Sequence, residues 1–177
     1  MRDAALCFIY DHTLIRLYAL GYKLWFFSLL DNEEPGGRAD VIVLPGGYPE
    51  LYASKVTEAT KFSVFVRNAS AMVYAECGGY IALAQLLSDG KRSWLMFGIL
   101  EVLNCAVLPA LAVYKYCVLF GNRRGVLAGH EFHYHGELSK TAENCVYLVR
   151  VCDELNLEGL RVGNAFGGYA HCVGSIK

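Results

Sequence analysis

Cys77 has the clearest chemical setting in this chain. It stands in "AECGGY", residues 75–80, after an apolar run and before two glycines. A strand ("MVYA"), a turn ("ECGG") and a helix in that order form the layout of a nucleophile elbow, where a sharp bend lifts a side chain above a sheet. Small residues let the backbone turn tightly and a substrate approach, and Gly78 and Gly79 supply them. A helix N-terminus behind the thiol favours thiolate through its unpaired N–H groups and dipole. The N–H of Gly78 points toward the place where an oxyanion would form. Cys77 is therefore expected to be accessible and to sit in an electropositive setting. The plainer alternative is a small buried residue beside a turn.

A cysteine nucleophile needs a base. Of the five histidines, His171 follows "GGY" after the last predicted strand. Loops at the carboxyl ends of α/β strands gather at one edge, so His171 could meet Cys77 there; a packing or surface histidine is the other reading. "LPGGYPE", residues 44–50, is a second glycine turn after a strand. The N–H groups of Gly46 and Gly47 could complete an oxyanion hole with Gly78, or the turn could be a simple connection. "GHEFHYH", residues 129–135, invites a metal. In a strand, however, His133 and His135 share a face that His130 does not, so three ligands would not converge and no metal is expected. Neither GxxxxGK[ST] nor GxGxxG occurs, so no nucleotide loop is expected in the chain.

The elements that must position these residues alternate. Asp11 to Ala19 suits a short helix with Leu14, Leu17 and Tyr18 on one side. Residues 21–30, "GYKLWFFSLL", suit a strand buried on both faces. Val41–Leu44 is a β-branched strand stopped by Pro45-Gly46-Gly47. Tyr52 to Arg67 has helical spacing, "SAMVYA" (70–75) is a short buried strand, and "YIALAQLL" (80–87) is a helix of good formers. Three further strands are expected in residues 125–135, 144–152 and 159–171. Strand–helix alternation without a linker or repeat predicts one α/β domain on a mainly parallel sheet.

Composition narrows the function classes. Hydrophobic residues make up 55% of the 177 and charged residues 19%, which suits a globular core. A net charge of −1 argues against a nucleic-acid partner. The longest charge-free piece of the most apolar region, Val102 to Tyr114, has 13 residues, short of the ~20 that cross a bilayer. The N-terminus shows no secretion signal and the seven cysteines form no CxxC pair, so a reduced cytoplasmic protein is expected.

Four stretches are more specific together than apart. "LPGGYPEL" (44–51), "YAECGGY" (74–80), "GHEFHY" (129–134) and "GNAFGGYAH" (163–171), in this order and spacing, closely resemble the glutamine amidotransferase domain of cobyrinic acid a,c-diamide synthases. "ALCFIYDHTLIRLYALGYKLWFFSLLDNEEP" (5–35) resembles that domain's opening. The resemblance implies that residues 1–177 form one amidotransferase domain of class I type, a three-layer α/β sandwich. In it Cys77 would attack the side-chain amide of L-glutamine, and His171 would activate the thiol and protonate the departing ammonia. Backbone amides of Gly47 and Gly78 would hold the oxyanion. Ammonia would pass to an ATP-dependent synthetase domain or chain that uses ATP and Mg2+ to activate carboxylates of a corrin precursor. No cofactor is implied in this chain, and the corrinoid would be reached only through that partner. Relatives acting on cobyric-acid or nickel-sirohydrochlorin substrates are poorly separated by this half alone.

Departures from the family pattern are also expected to matter. The ATP-binding domain and the domain's usual first strand would precede Met1-Arg2-Asp3, so an empty sheet position, an exposed edge and self-association are expected. Leu29 stands where the family usually has proline. Val173 stands where it commonly has a second histidine, removing any orienting role of that residue. Stretch 102–113 is unusually apolar. Two alternatives follow: a non-catalytic diverged fragment serving as an interaction module, or a cysteine hydrolase or oxidant sensor of the same fold.

Overall fold

A computed structural model describes residues 3–106, 115–120, 123–139, 144–151 and 154–175. Most of the apolar stretch 102–113 lies outside them. Helix α1 spans Asp11–Ala19, as its pattern predicts. Asp11 in its first turn and Arg16 in its last complement the helix dipole. It ends at Gly21, whose φ of 85° turns the N–H groups of Gly21 and Tyr22 back to the carbonyls of Tyr18 and Leu17, at 2.9 and 3.2 Å. That pairing is a Schellman cap. Leu14 and Leu17 are half-buried, while Tyr18 is exposed.

Strand β1 (Val41–Leu44) is followed by a short 3-10 turn, Pro49–Tyr52, and by α2 (Ala53–Thr57) and α3 (Thr60–Asn68). Then come β2 (Met72–Glu76) and α4 (Gly78–Leu83). Nine short strands follow before the last two: β3 (Leu86–Ser88), β4 (Ser93–Leu95), β5 (Leu103–Ala106), β6 (Lys115–Phe120), β7 (Arg123–His130), β8 (His135–Ser139), β9 (Tyr147–Val151), β10 (Glu154–Glu158) and β11 (Leu160–Val162). The chain closes with β12 (Ala165–Gly168) and β13 (His171–Ser175).

The sheet that carries the site has the order β1-β2-β12-β11. β1 and β12 both run parallel to β2, with Leu44 beside Ala75 and Gly168 beside Glu76; β11 is antiparallel. β1 and β11 are its two edge strands. Strand alternation divides β2 cleanly. Val73 and Ala75 join Val56, Phe62, Val66 and Leu83 in the helix-side core. Tyr74 turns the other way, against Phe166, Val146, Tyr147 and Val149. Helices, parallel sheet and β9 thus make the three layers of the expected α/β fold. Burying one side chain such as Phe62 contributes about 2–3 kcal/mol. The later strands form two further sheets, β10-β9-β6-β7-β13, antiparallel throughout, and β4-β3-β5-β8, parallel only at β3–β5.

Several local expectations change. The strand expected over 125–135 breaks after His130 and resumes at His135, and that over 159–171 divides into the antiparallel pair β11 and β12. Residues 22–28 form no strand: Tyr22, Trp25 and Phe26 are exposed, and burial begins only at Phe27. At its end, residues 28–30, the backbone N–H groups meet carboxylates instead of a ladder. Asp3 Oδ2 accepts the N–H groups of Leu29 (2.6 Å) and Leu30 (3.2 Å) and the Ser28 hydroxyl (3.2 Å). Its Oδ1 accepts Ala5 and Leu6 at 3.1 and 3.0 Å. A proline at position 29 would lack the N–H that Leu29 donates. The helical pattern over Tyr52–Arg67 is split at Glu58-Ala59, where Thr57 Oγ1 donates to the Ser54 carbonyl at 2.7 Å. The helix read over 80–87 stops at Leu83, because Leu86–Ser88 finds a parallel partner in Leu103–Cys105. A short apolar run suits either state, and the ladder decides.

Asp3 is accordingly a staple between the N-terminal segment and the loop at 28–30. Asp3→Ala leaves four N–H groups without this acceptor and is expected to lower unfolding free energy by about 2–4 kcal/mol. Urea unfolding measures it; an unchanged midpoint would show that the staple contributes nothing.

Candidate active site

Cys77 occupies the turn between β2 and α4 with φ 46° and ψ −107°. This is a left-handed conformation that residues with a side chain rarely hold, and it costs about 1–3 kcal/mol. Such a strained strand-to-helix turn is the geometry of a nucleophile elbow. Its N–H donates to the Gly168 carbonyl at 2.7 Å, and its carbonyl accepts the Ile81 N–H at 3.0 Å. The sulfur approaches the Phe132 carbonyl at 3.6 Å.

The expected accessible, electropositive thiol is not what the fold builds. Cys77 is 5% exposed. Burial pushes its thiol up to about 12; the Gly78 N–H lowers it, and the carboxylates of Glu50, Glu76 and Glu131 raise it. α4 has six residues, too short a helix to offset three carboxylates. The resting sulfur is therefore a protonated thiol.

Close glycine contacts lock the two turns together. A Cβ on Gly78 would stand 2.6 Å from the Gly47 carbonyl oxygen, and one on Gly79 would strike the Leu44 carbonyl. The Gly79 N–H donates to the Pro45 carbonyl at 3.0 Å. A Cβ on Gly46 would stand 2.3 Å from His171 Cε1. Gly46, Gly47, Gly78 and His171 thus meet at the carboxyl edge of β1, β2 and β12. Cys77 and His171 follow the ends of two neighbouring parallel strands, on one edge of the sheet.

His171 opens β13 and is 3% exposed. Phe8 meets its ring edge-on, with centroids 5.0 Å apart. His130 stacks on it at 5.1 Å and 28°. His130 in turn hydrogen-bonds the Tyr10 hydroxyl. Burial, then the neighbouring His171, hold the His130 imidazole below its usual range. His171 Nδ1 is buried and makes no hydrogen bond; Glu76 Oε2 lies 3.6 Å from it. Glu76 Oε1 accepts the Tyr74 hydroxyl at 2.5 Å and the Cys172 N–H at 3.2 Å.

A second polar group lines the neighbouring core. Tyr80 donates to Glu137 and Tyr169 to Asn104, each at 2.6 Å, and His133 stacks on Tyr169 at 3.8 Å. The three histidines of 129–135 are parted by the break between β7 and β8. Among the described residues no three His, Cys, Asp or Glu side chains gather to hold a metal ion. Glu76, Glu50, Glu131 and Tyr10 escaped the sequence reading, and His130 entered it only as a candidate metal ligand. Only Glu76 carried a signal: it sits one residue before the cysteine, at the end of an alternating strand.

A strained cysteine turn, a histidine after the adjacent parallel strand and interlocked glycine turns define an α/β domain of the class I amidotransferase type. A solved structure described as a glutamine amidotransferase shares this fold, with a TM-score of 0.57 over 90% of this chain and 82% of its own at 17% identity. The model of the CobB/CobQ-like glutamine amidotransferase domain matches residues 1–175, and the chain belongs to that family. Hydrogenobyrinate a,c-diamide synthase of Rhizobium meliloti (strain 1021) is 37% identical over 185 residues, covering 97% of this chain and 42% of that protein. The enzyme of the same name from Rhodobacter capsulatus is 34% identical over 184 residues, covering 99% and 41%. This chain therefore spans about two fifths of the length of these relatives. Among the described residues no helix is long and apolar enough to cross a membrane.

Proposed function

We propose that this glutamine amidotransferase domain hydrolyses glutamine through Cys77 and His171. The observation that carries the reading is the strained turn at Cys77 beside the His171–Gly46 contact. His171 takes the thiol proton as sulfur attacks the glutamine side-chain carbonyl carbon. The backbone N–H groups of Gly47 and Gly78, in a turn held by Gly46, stabilise the resulting oxyanion. The imidazolium returns its proton to the leaving nitrogen; the C–N bond breaks, ammonia departs and a glutamyl thioester remains. Water then cleaves the thioester to glutamate and restores the thiol. The sulfur is covered by the Phe132 carbonyl at rest, so glutamine must displace the segment after His130 to reach it.

Ammonia is consumed by an ATP- and Mg2+-dependent synthetase domain or chain that amidates the a,c-carboxylates of hydrogenobyrinic or cobyrinic acid. The greater length of the diamide synthase relatives supports this partner, as do the exposed Ile15, Tyr18, Leu20 and Trp25 on and after α1. Free thiols at Cys7, Cys77 and Cys172 suit a reducing cytoplasm.

Mass spectrometry after exposure to a glutamine-like diazo-ketone tests the reading. One adduct at Cys77, suppressed by excess glutamine, is the expected result. An unlabelled protein would favour the non-catalytic alternative. Ready oxidation of Cys77 without labelling would favour the oxidant sensor.

A further inference from the structure

The family pattern leads one to expect an orienting residue two positions after His171, and this chain has Val173 there. The fold supplies a carboxylate from another strand. Glu76 ends β2, and the register that sets Gly168 beside Glu76 brings it under the start of β13. Two donors, the Tyr74 hydroxyl and the Cys172 N–H, hold Oε1. That leaves Oε2 toward the buried Nδ1 of His171, which makes no hydrogen bond. A separation of 3.6 Å is long for a hydrogen bond, but catalytic contacts of this kind tighten when substrate binds.

We propose that Glu76 is a positioning residue: its carboxylate fixes the ring and tautomer of His171, giving a Cys–His–Glu relay whose third member precedes the nucleophile. Nδ1 carries the proton, facing Glu76, and the lone pair of Nε2 is left to take the proton of Cys77. When His171 becomes an imidazolium, the carboxylate opposite Nδ1 stabilises the new charge. Among the described residues, the polar side chains next to the ring include His130 of β7, itself bonded to Tyr10, and Cys172 beside it on β13. None of them offers a carboxylate. The imidazole role rests on the proposed hydrolysis; the tautomer does not.

The test uses the complete chain, with 15N-labelled histidine, as wild type, Glu76→Gln and Glu76→Asp. In wild type the 15N spectrum is expected to show His171 protonated at Nδ1 at neutral pH. Glu76→Gln is expected to move the proton toward Nε2. Glutamate release is expected to fall about 30-fold in kcat with KM little changed. Glu76→Asp keeps the charge, so it is expected to restore the tautomer and part of the rate. An unchanged tautomer in Glu76→Gln would overturn the proposal, whatever the rate does. Changed spectra in a chain whose wild type releases no glutamate would uphold the positioning role and overturn the hydrolytic reading instead.

Discussion

Cys77→Ala is expected to abolish glutamine hydrolysis, with a loss of about 10⁵-fold or more in kcat. The loss should come without unfolding, because the hydrogen bond of the sulfur to the Phe132 carbonyl, at 3.6 Å, is weak. The strain at φ 46° belongs to the backbone, so alanine inherits it. Glycine at 77 adopts such a conformation freely. Cys77→Gly is therefore expected to be equally inactive yet about 1 kcal/mol more stable than Cys77→Ala. Glutamate release and thermal unfolding of the two variants, measured together, check both halves. Residual hydrolysis above a hundredth of wild type in either variant would remove Cys77 from the chemistry. Equal stability would mean that the turn stores no strain.

Under the proposed mechanism, the resting thiol explains why a paired base is needed. With the sulfur pushed up to about 12, it is protonated throughout the physiological range, and no spontaneous thiolate waits for substrate. Proton removal has to be coupled to attack, which demands a base at fixed distance. This differs from an exposed helix-terminal cysteine, whose low pKa makes it a thiolate at rest. A buried thiol surrounded by Glu50, Glu76 and Glu131 also resists casual oxidation, since oxidants react with the thiolate.

Much of this was legible in the sequence where local chemistry decides the outcome. Asp11–Ala19 has its dipole-matched ends and its glycine stop, and Val41–Leu44 is β-branched before a proline, so both emerge with the expected bounds. The glycines of 46–47 and 78–79 follow apolar strands, and the parallel pairing of those strands brings them together. Long-range choices were less legible. Residues 22–28 are as aromatic as a buried strand, yet Asp3 and Glu33 satisfy the neighbouring backbone and the rings of Tyr22, Trp25 and Phe26 face outward. The charge around Cys77 depends on carboxylates from three separate segments that only tertiary folding assembles. Glu76 shows the same limit: its position is plain, but the meeting with His171 is set by the register of β12 and the turn into β13.

Gly46→Ala is expected to cost about 10²-fold in kcat/KM while leaving the fold intact, a loss that separates the site from its scaffold. The new methyl would stand 2.3 Å from His171 Cε1, so the imidazole must move. It has little room to do so, being 3% exposed between Phe8 and His130. In the proposed mechanism a displacement near 1 Å carries Nε2 away from the thiol proton, and errors of that size lower rates by about 10². Overpacking of this kind also lowers stability by about 1–3 kcal/mol. Gly79→Ala is the control. Its methyl would meet the Leu44 backbone, which cannot rotate away, so the expected damage is a large drop in melting temperature with activity lost only as the protein unfolds. Steady-state glutaminase rates beside calorimetric melting temperatures distinguish the two. Full activity in a folded Gly46→Ala would mean that the ring of His171 can leave its present position without consequence, and the role assigned to His171 would have to pass to another residue.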